Sequence, residues 1–165
     1  MEKKTIHATL VKLMARGIIL MGESGSGKSR LALSLLYEGA RLVADDVVEL
    51  FIGRDGLRGR APDRLRGLME IRGAGIVDVS KALGSSFVLE ETSVDLVVRL
   101  WKEKDGLRRA AGPEVTIVEL LGREIPEIRI GADLSGRELM TVVSDVILGG
   151  SRGSLKLKSL ITPPR

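Results

Sequence analysis

The chain has 165 residues, is 44% hydrophobic and 29% charged, and contains no cysteine. That length suits one domain around a single core, and the missing cysteine excludes a disulfide framework, a thiolate metal site and a cysteine nucleophile. The net charge of +4 would suit an acidic partner, whereas aromatic residues at 2% leave almost no material for base stacking, so no nucleic acid is expected as a partner. No run approaches the roughly 18 apolar residues that cross a bilayer. The first residues, "MEKKTIHATL", carry no long apolar stretch. These features predict no membrane association and a cytoplasmic location.

In chain order, Thr5 to Met14 alternates loosely and reads as a strand, followed by a turn around Ala15-Arg16 and a second, fully apolar strand from Gly17 to Met21. The segment "GESGSGKS", Gly22 to Ser29, follows at once. Helical spacing then runs from Lys28 to about Glu38, with Gly39 placed to close the helix. "RLVADDVVELFI" predicts two strand halves interrupted by Asp45-Asp46, and Asp55-Gly56 supplies turn chemistry. Beyond Ala61 the spacing predicts a short Pro-initiated helix, a glycine-punctuated loop, and a strand over Gly75 to Val79. Two further strands are predicted, Val94 to Trp101 and Val115 to Leu121, flanking the charged "KEKDGLRRAAG". A final helix is expected from Ser135 to Leu148, with Ser135 at the N-cap and Glu138 in capping-box register. Residues 1–150 are thus expected to form one domain, followed by a basic Gly, Ser and Pro-containing tail over 151–165. Helices are too few to alternate with the strands, which excludes a doubly wound sheet. An α/β fold with a mixed, mostly antiparallel sheet around one helix is expected.

"GESGSGKS" has the G-x-x-x-x-G-K-S spacing of the nucleotide-binding P-loop, set between a strand and a helix as the mechanism needs. Its glycines let successive N–H groups turn toward a polyphosphate, and the helix N-terminus adds partial positive charge. Gly22, Glu23, Ser24, Gly25, Ser26, Gly27, Lys28 and Ser29 are therefore the candidate nucleotide-binding residues, with Lys28 on the β- and γ-phosphates and the Ser29 hydroxyl on Mg²⁺. A phosphoryl-transfer site also needs an acid to place the metal and a base for the attacking group. Asp45 and Asp46 are candidates because two adjacent carboxylates are costly to bury without a cation. On an extended strand they would point to opposite faces and so differ in role. Glu70 and Arg72 would project from one side of an extended segment, as ligand contacts or as a surface ion pair. Arg108 and Arg109 could stabilise the charge of a transferring phosphoryl group, although composition alone favours a plain charged loop. His7, the single histidine, lies fifteen positions before Gly22, either as a surface side chain or as a group returning to the phosphate site.

Taken in order and at these intervals, "IHATLV", "GESGSGKS", "GARLVADD", "GRAPDRLRGLMEIRGAGIVDV" and "IRIGADLSGRELMTVV" resemble the C-terminal catalytic domain of bacterial HPr kinase/phosphorylase, over roughly residues 5–148. The resemblance implies a fold like that of phosphoenolpyruvate carboxykinase around its P-loop, and transfer of phosphate from ATP to a serine of the phosphocarrier protein HPr. It implies Lys28 as a catalytic and phosphate-binding residue, Ser29 and Glu70 as the Mg²⁺ residues, and Asp46 as the base, which becomes the acid in reverse phosphorolysis. His7 matches the family's active-site histidine and Arg108 its catalytic arginine, with Arg109 as the neighbouring alternative. A homo-oligomer is implied too, since the family commonly forms hexamers.

The chain departs from the family pattern at Arg30, where relatives usually carry an acid, and at "DLSGREL", where Arg137 is kept but Glu138 follows. The second departure bears on phosphorolysis more than on kinase activity. Two alternatives use the same phosphate machinery: a small-molecule hydroxyl kinase on this scaffold, and a non-catalytic ATP-sensing module.

Overall fold

The computed structural model describes residues 2–23, 25–101, 114–131 and 133–148. Ser24, Arg108, Arg109 and the tail over 151–165 lie outside the described residues.

The first strand expectation is corrected. Thr5 to Met14 does not form one strand; it divides into β1 (Lys3–His7) and β2 (Thr9–Leu13), which belong to different sheets. The break falls at Ala8. A tight turn at Met14 and Ala15, both at positive φ (50° and 61°), leads into β3 (Arg16–Met21). Two consecutive left-handed residues match the twist of a two-residue hairpin, although neither is glycine. After the phosphate-type loop comes α1 (Lys28–Tyr37). It ends as Gly39 suggests: the Ala40 N–H donates to Leu35 O (3.0 Å) and the Gly39 N–H to Leu36 O (3.2 Å), with Gly39 at φ 100°.

The two predicted strand halves are β4 (Arg41–Ala44) and β5 (Val47–Gly53), with Asp45-Asp46 between them. β6 (Gly56–Arg60) returns antiparallel along β5. A 3₁₀ turn over Asp63–Leu65 follows Pro62. The segment before the expected strand is not all loop: it contains β7 (Leu68–Ile71), which turns through Gly73 (φ 88°) and pairs with β8 (Gly75–Asp78), the strand expected from Gly75. Val79 does not extend β8; it opens the short α2 (Val79–Leu83), capped by the Asp78 carboxylate on the Lys81 N–H (3.1 Å). β9 (Glu91–Ser93), β10 (Leu96–Trp101), β11 (Glu114–Leu120), β12 (Arg123–Gly131) and α3 (Gly136–Leu148) complete the described chain. The capping box forms as expected, with the Glu138 N–H donating to Ser135 Oγ (3.1 Å) and Ser135 Oγ donating to Glu138 Oε1 (3.2 Å).

The strands make a six-stranded mixed sheet in the order β11-β12-β10-β3-β2-β4 and a four-stranded antiparallel sheet in the order β1-β5-β6-β9, besides the β7–β8 hairpin. In the larger sheet β10 is parallel to both β3 and β12, and the other pairs are antiparallel. Three layers result. Ile18 and Leu20 of β3 face Leu31, Leu35 and Leu36 of α1 and Leu139 and Val143 of α3, while Ile19 faces Val48 and Leu50 of the smaller sheet. Covering on both faces is why β3 reads as an unbroken apolar run rather than an alternation. Each fully buried leucine on α1 contributes about 1.5–3 kcal/mol to this packing.

The described chain crosses between the two sheets at three places, and two of these crossings lie side by side. At Ala8 it passes from β1 to β2, and at Asp45-Asp46 from β4 to β5. The Ala8 N–H donates to Asp46 O (3.1 Å) and the Val47 N–H to Asp45 O (2.8 Å), so the two crossings are tied together. Their position beside the end of β3 locates the functional site.

Candidate active site

The loop from Gly22 to Ser29 links the end of β3 to the start of α1. Gly22 could not carry a side chain, because a Cβ there would lie 2.6 Å from Ser26 Oγ and 2.8 Å from Leu100 O. Gly27 is the N-cap residue in a left-handed conformation (φ 96°, ψ 19°) and offers no side-chain cap. The first N–H groups of α1 therefore point out of the helix end without an intrahelical partner. The loop is closed by the Ser26 N–H on Glu23 O (2.9 Å). Ser26 Oγ is buried and has no hydrogen-bond partner among the described residues, which is costly unless a ligand supplies one.

Lys28 is only 7% exposed, and its Nζ donates to Gly22 O (2.7 Å) and Glu23 O (3.1 Å). Burial pushes its pKa down while the charges of Asp46 and Asp45 push it up; burial wins, leaving it below the ordinary 10.5. The ammonium is thus held inside its own loop by two carbonyls, with no carboxylate bonded to it among the described residues.

Asp45 and Asp46 part company at the sheet crossing. Asp45 is 4% exposed and accepts from Thr9 Oγ1 (2.8 Å), from Ser29 Oγ (2.8 and 3.0 Å) and from the Glu70 N–H (3.1 Å). These bonds tie β2, α1 and β7 to one carboxylate. Asp46 adopts φ 69°, a left-handed conformation that Asp tolerates better than most residues, and this turns its side chain outward. Its Oδ1 lies 3.1 Å from His7 Nδ1, with both side chains more than half exposed.

A cleft of about 780 Å³ collects these groups, lined among others by His7, Lys28, Ser29, Asp46, Glu70 and Arg72. Glu70 and Arg72 both reach it from the β7 side, and no ion pair links them among the described residues. Arg30 and Asp133 also line it. Of the residues singled out in the sequence, the structure brings together His7, the described P-loop residues from Gly25 onward, Asp46 and Glu70; Ser24 and Arg108 lie outside the described residues. Sequence reasoning missed the position of Asp133 and the part played by Thr9 and Asp45 in holding Ser29. Only the doubled acid itself pointed to Asp45.

The residues fit a phosphate chain: unpaired N–H groups at a helix start, a buried orphan hydroxyl and a lysine surround one concavity. They also fit Mg²⁺. Among the described residues no group of three acids or histidines could hold a metal by itself. Mg²⁺ instead keeps waters and takes one or two protein oxygens plus phosphate oxygens, and Ser29, Asp45 and Glu70 offer that set. Loop, helix start and adjacent carboxylates together define a P-loop site of the phosphoryl-transfer type.

Comparison with known proteins makes this specific. Residues 1–153 match the family described as HPr Serine kinase C-terminal domain. The chain is 44% identical over 142 residues to HPr kinase/phosphorylase of Caldanaerobacter subterraneus subsp. tengcongensis, covering 84% of this chain and 46% of that protein. It is 37% identical over 150 residues to the protein of the same name from Lactococcus lactis subsp. cremoris, covering 89% of this chain and 48% of that protein. The solved structure of the HPr(Ser) kinase/phosphatase from Coxiella burnetii superposes with a TM-score of 0.78 at 30% identity, over 89% of this chain and 98% of that one. The chain belongs to the HPr serine kinase C-terminal domain family, and it spans about half the length of the curated relatives it matches. Among the described residues no helix is long and apolar enough to cross a membrane.

Proposed function

We propose that this chain is an ATP- and Mg²⁺-dependent serine kinase acting on HPr, with phosphorolysis of phosphoserine-HPr as the reverse direction. The observation that carries this reading is the Asp46–His7 pair, 3.1 Å apart, standing in the same cleft as the P-loop lysine. In the forward direction Asp46 accepts the proton of the acceptor serine hydroxyl as its oxygen bonds to the γ-phosphorus and the bond to the β-phosphate oxygen breaks. His7 orients the carboxylate. Lys28 and the N–H groups of the loop hold the phosphate chain, and Arg108 offsets charge on the transferring group. Bound Mg²⁺ supplies charge neutralisation at the phosphates, held through Ser29, Glu70 and Asp45. In phosphorolysis an oxygen of inorganic phosphate bonds to the phosphorus of phosphoserine-HPr as the bond to the serine oxygen breaks, giving pyrophosphate, and Asp46 passes the proton to the freed serine oxygen. A cytoplasmic location and a homo-oligomer, as hexamer, belong to the same proposal.

The test is label transfer from γ-labelled ATP to purified HPr from the same organism, with Lys28→Ala and Asp46→Asn as controls. Label on an HPr serine, lost with both substitutions, is the expected result. Bound MgATP that labels no HPr but is turned over with a hydroxyl metabolite would replace HPr as the acceptor, and ATP left intact with every acceptor would remove the kinase reading.

A further inference from the structure

The third residue of α1 is Arg30, at a helix start where an acid would be favoured and the first turn holds none. Its guanidinium does not extend away from the other positive charges. It folds back across the loop, so that a Cβ built on Gly27 would lie 3.8 Å from Arg30 Nη2 and 3.9 Å from Nε. There it lines the cleft beside Lys28. Among the described residues Arg30 makes no ion pair or hydrogen bond.

Three sources of positive charge therefore converge on the concavity: the Lys28 ammonium, the uncapped N–H groups of α1 and the Arg30 guanidinium. The nearby carboxylates do not neutralise Arg30. Asp45 is taken up by Thr9, Ser29 and the Glu70 N–H, and Asp46 by His7. Ser26 Oγ, buried and without a hydrogen-bond partner among the described residues, lies in the same loop and independently points to a hydrogen-bonding ligand. Such convergence is unfavourable in an empty cleft and becomes favourable when a polyanion enters.

We propose that Arg30 is a binding residue for the polyphosphate of the nucleotide, an added cation that reaches over Gly27 onto the phosphate chain. The inference rests on the reading of the cleft as a nucleotide-phosphate site. It makes two signatures with opposite signs. Neutralising Arg30 weakens nucleotide binding, yet it relieves repulsion at the helix start and so leaves the free protein as stable as before or more so.

The experiment is calorimetric titration of MgATP and MgADP into wild type, Arg30→Gln, Arg30→Glu, Arg30→Lys and Lys28→Ala, with the melting temperature of each free protein measured alongside. A charge-assisted contact of this kind is expected to raise Kd about tenfold in Arg30→Gln and about a hundredfold in Arg30→Glu. Arg30→Lys should keep most of the affinity, and the gap between wild type and Arg30→Gln should narrow as salt rises. Wild-type binding that survives unchanged in Arg30→Gln would overturn the inference and leave the nucleotide site standing. Equal loss in Arg30→Gln and Arg30→Lys with lowered melting temperatures would assign Arg30 to packing and overturn it likewise. No nucleotide binding by wild type, with Lys28→Ala indistinguishable from it, would overturn the site reading itself.

Discussion

Asp45 and Glu127 are both almost fully buried carboxylates, 4% and 2% exposed, and they are satisfied in opposite ways. Glu127, on β12, accepts from two cations: Arg99 Nε (2.9 Å) and Nη2 (3.3 Å), and Arg129 Nε (3.0 Å). Asp45, at a crossing between the sheets, accepts among the described residues from two hydroxyls and a backbone N–H. Glu127 is neutralised within the fold and can offer nothing to a ligand. Asp45 is fixed in position by uncharged donors, next to the loop residue Ser29. The difference separates a carboxylate that serves the sheet from one that serves the site.

Removing the acceptor at the site should have the largest effect. Asp45→Ala strands three donors, the buried Thr9 hydroxyl and the part-buried Ser29 hydroxyl and Glu70 N–H, and a loss of about 2–4 kcal/mol in urea unfolding is expected. MgATP binding should fall with it, to the level seen without added Mg²⁺. Mg²⁺-dependent binding that survives Asp45→Ala would break the contrast at its more important end.

Glu127→Gln should cost less, about 1–3 kcal/mol, because Arg99 and Arg129 are part-exposed and can turn to solvent. MgATP affinity should be unchanged. Burial pushes the Glu127 carboxyl up, but hydrogen bonds from Arg99 and Arg129 and their charges pull it down further, so its pKa lies below the ordinary 4.5. A carboxyl with a depressed folded pKa contributes stability that is fully present above its unfolded pKa and is lost as pH falls through the folded one. The stability gap between wild type and Glu127→Gln should therefore be constant above pH 4.5 and close below it. A gap that widened in acid would reverse the sign of this assignment.

The smallest of these effects concerns Lys28. Phosphate binding favours its charged form, and burial has lowered its pKa from 10.5 in the free protein. Affinity for MgATP should weaken as pH rises through that lowered pKa, with the decline beginning before pH 10.5. Titrations between neutral and alkaline pH measure it, and a profile flat to pH 10.5 would show that Lys28 is not held in the desolvated position described. For stability the sign is opposite, since the unfolded chain binds the proton more tightly there and the cost of burying the charge is relieved as pH rises.

How much of this was legible depended on whether the signal was local. The P-loop is a contiguous spacing with an apolar strand before it and a helix after it, and it could be read directly. So could both helix ends, because Gly39, Ser135 and Glu138 act within a few residues of themselves. The sheet crossing at Ala8 left no mark, because the alternation runs through it and only the pairing partners differ: Val47 opposite His7, Leu20 opposite Thr9. β12 was hidden by Pro126. Pro126 reads as a strand breaker, yet it lies inside β12 opposite Ile117 of β11, and pairing with β10 begins one residue later at Glu127. Of the β7–β8 hairpin only the second strand was read, over Gly75 to Val79; β7 was hidden because it is four residues long with Met69 as its one buried side chain. The division between Asp45 and Asp46 depends on the left-handed turn at Asp46, which neighbouring residues do not announce.

The central claim is that these adjacent carboxylates divide the work, Asp45 organising the phosphate and metal side and Asp46 handling the acceptor proton. Its most direct test is a paired measurement on Asp46→Asn: MgATP affinity by calorimetry, and single-turnover transfer to HPr. Affinity within about twofold of wild type with transfer lowered by about a thousandfold or more is expected. Transfer at the wild-type rate, or loss of nucleotide binding in step with loss of transfer, would contradict it.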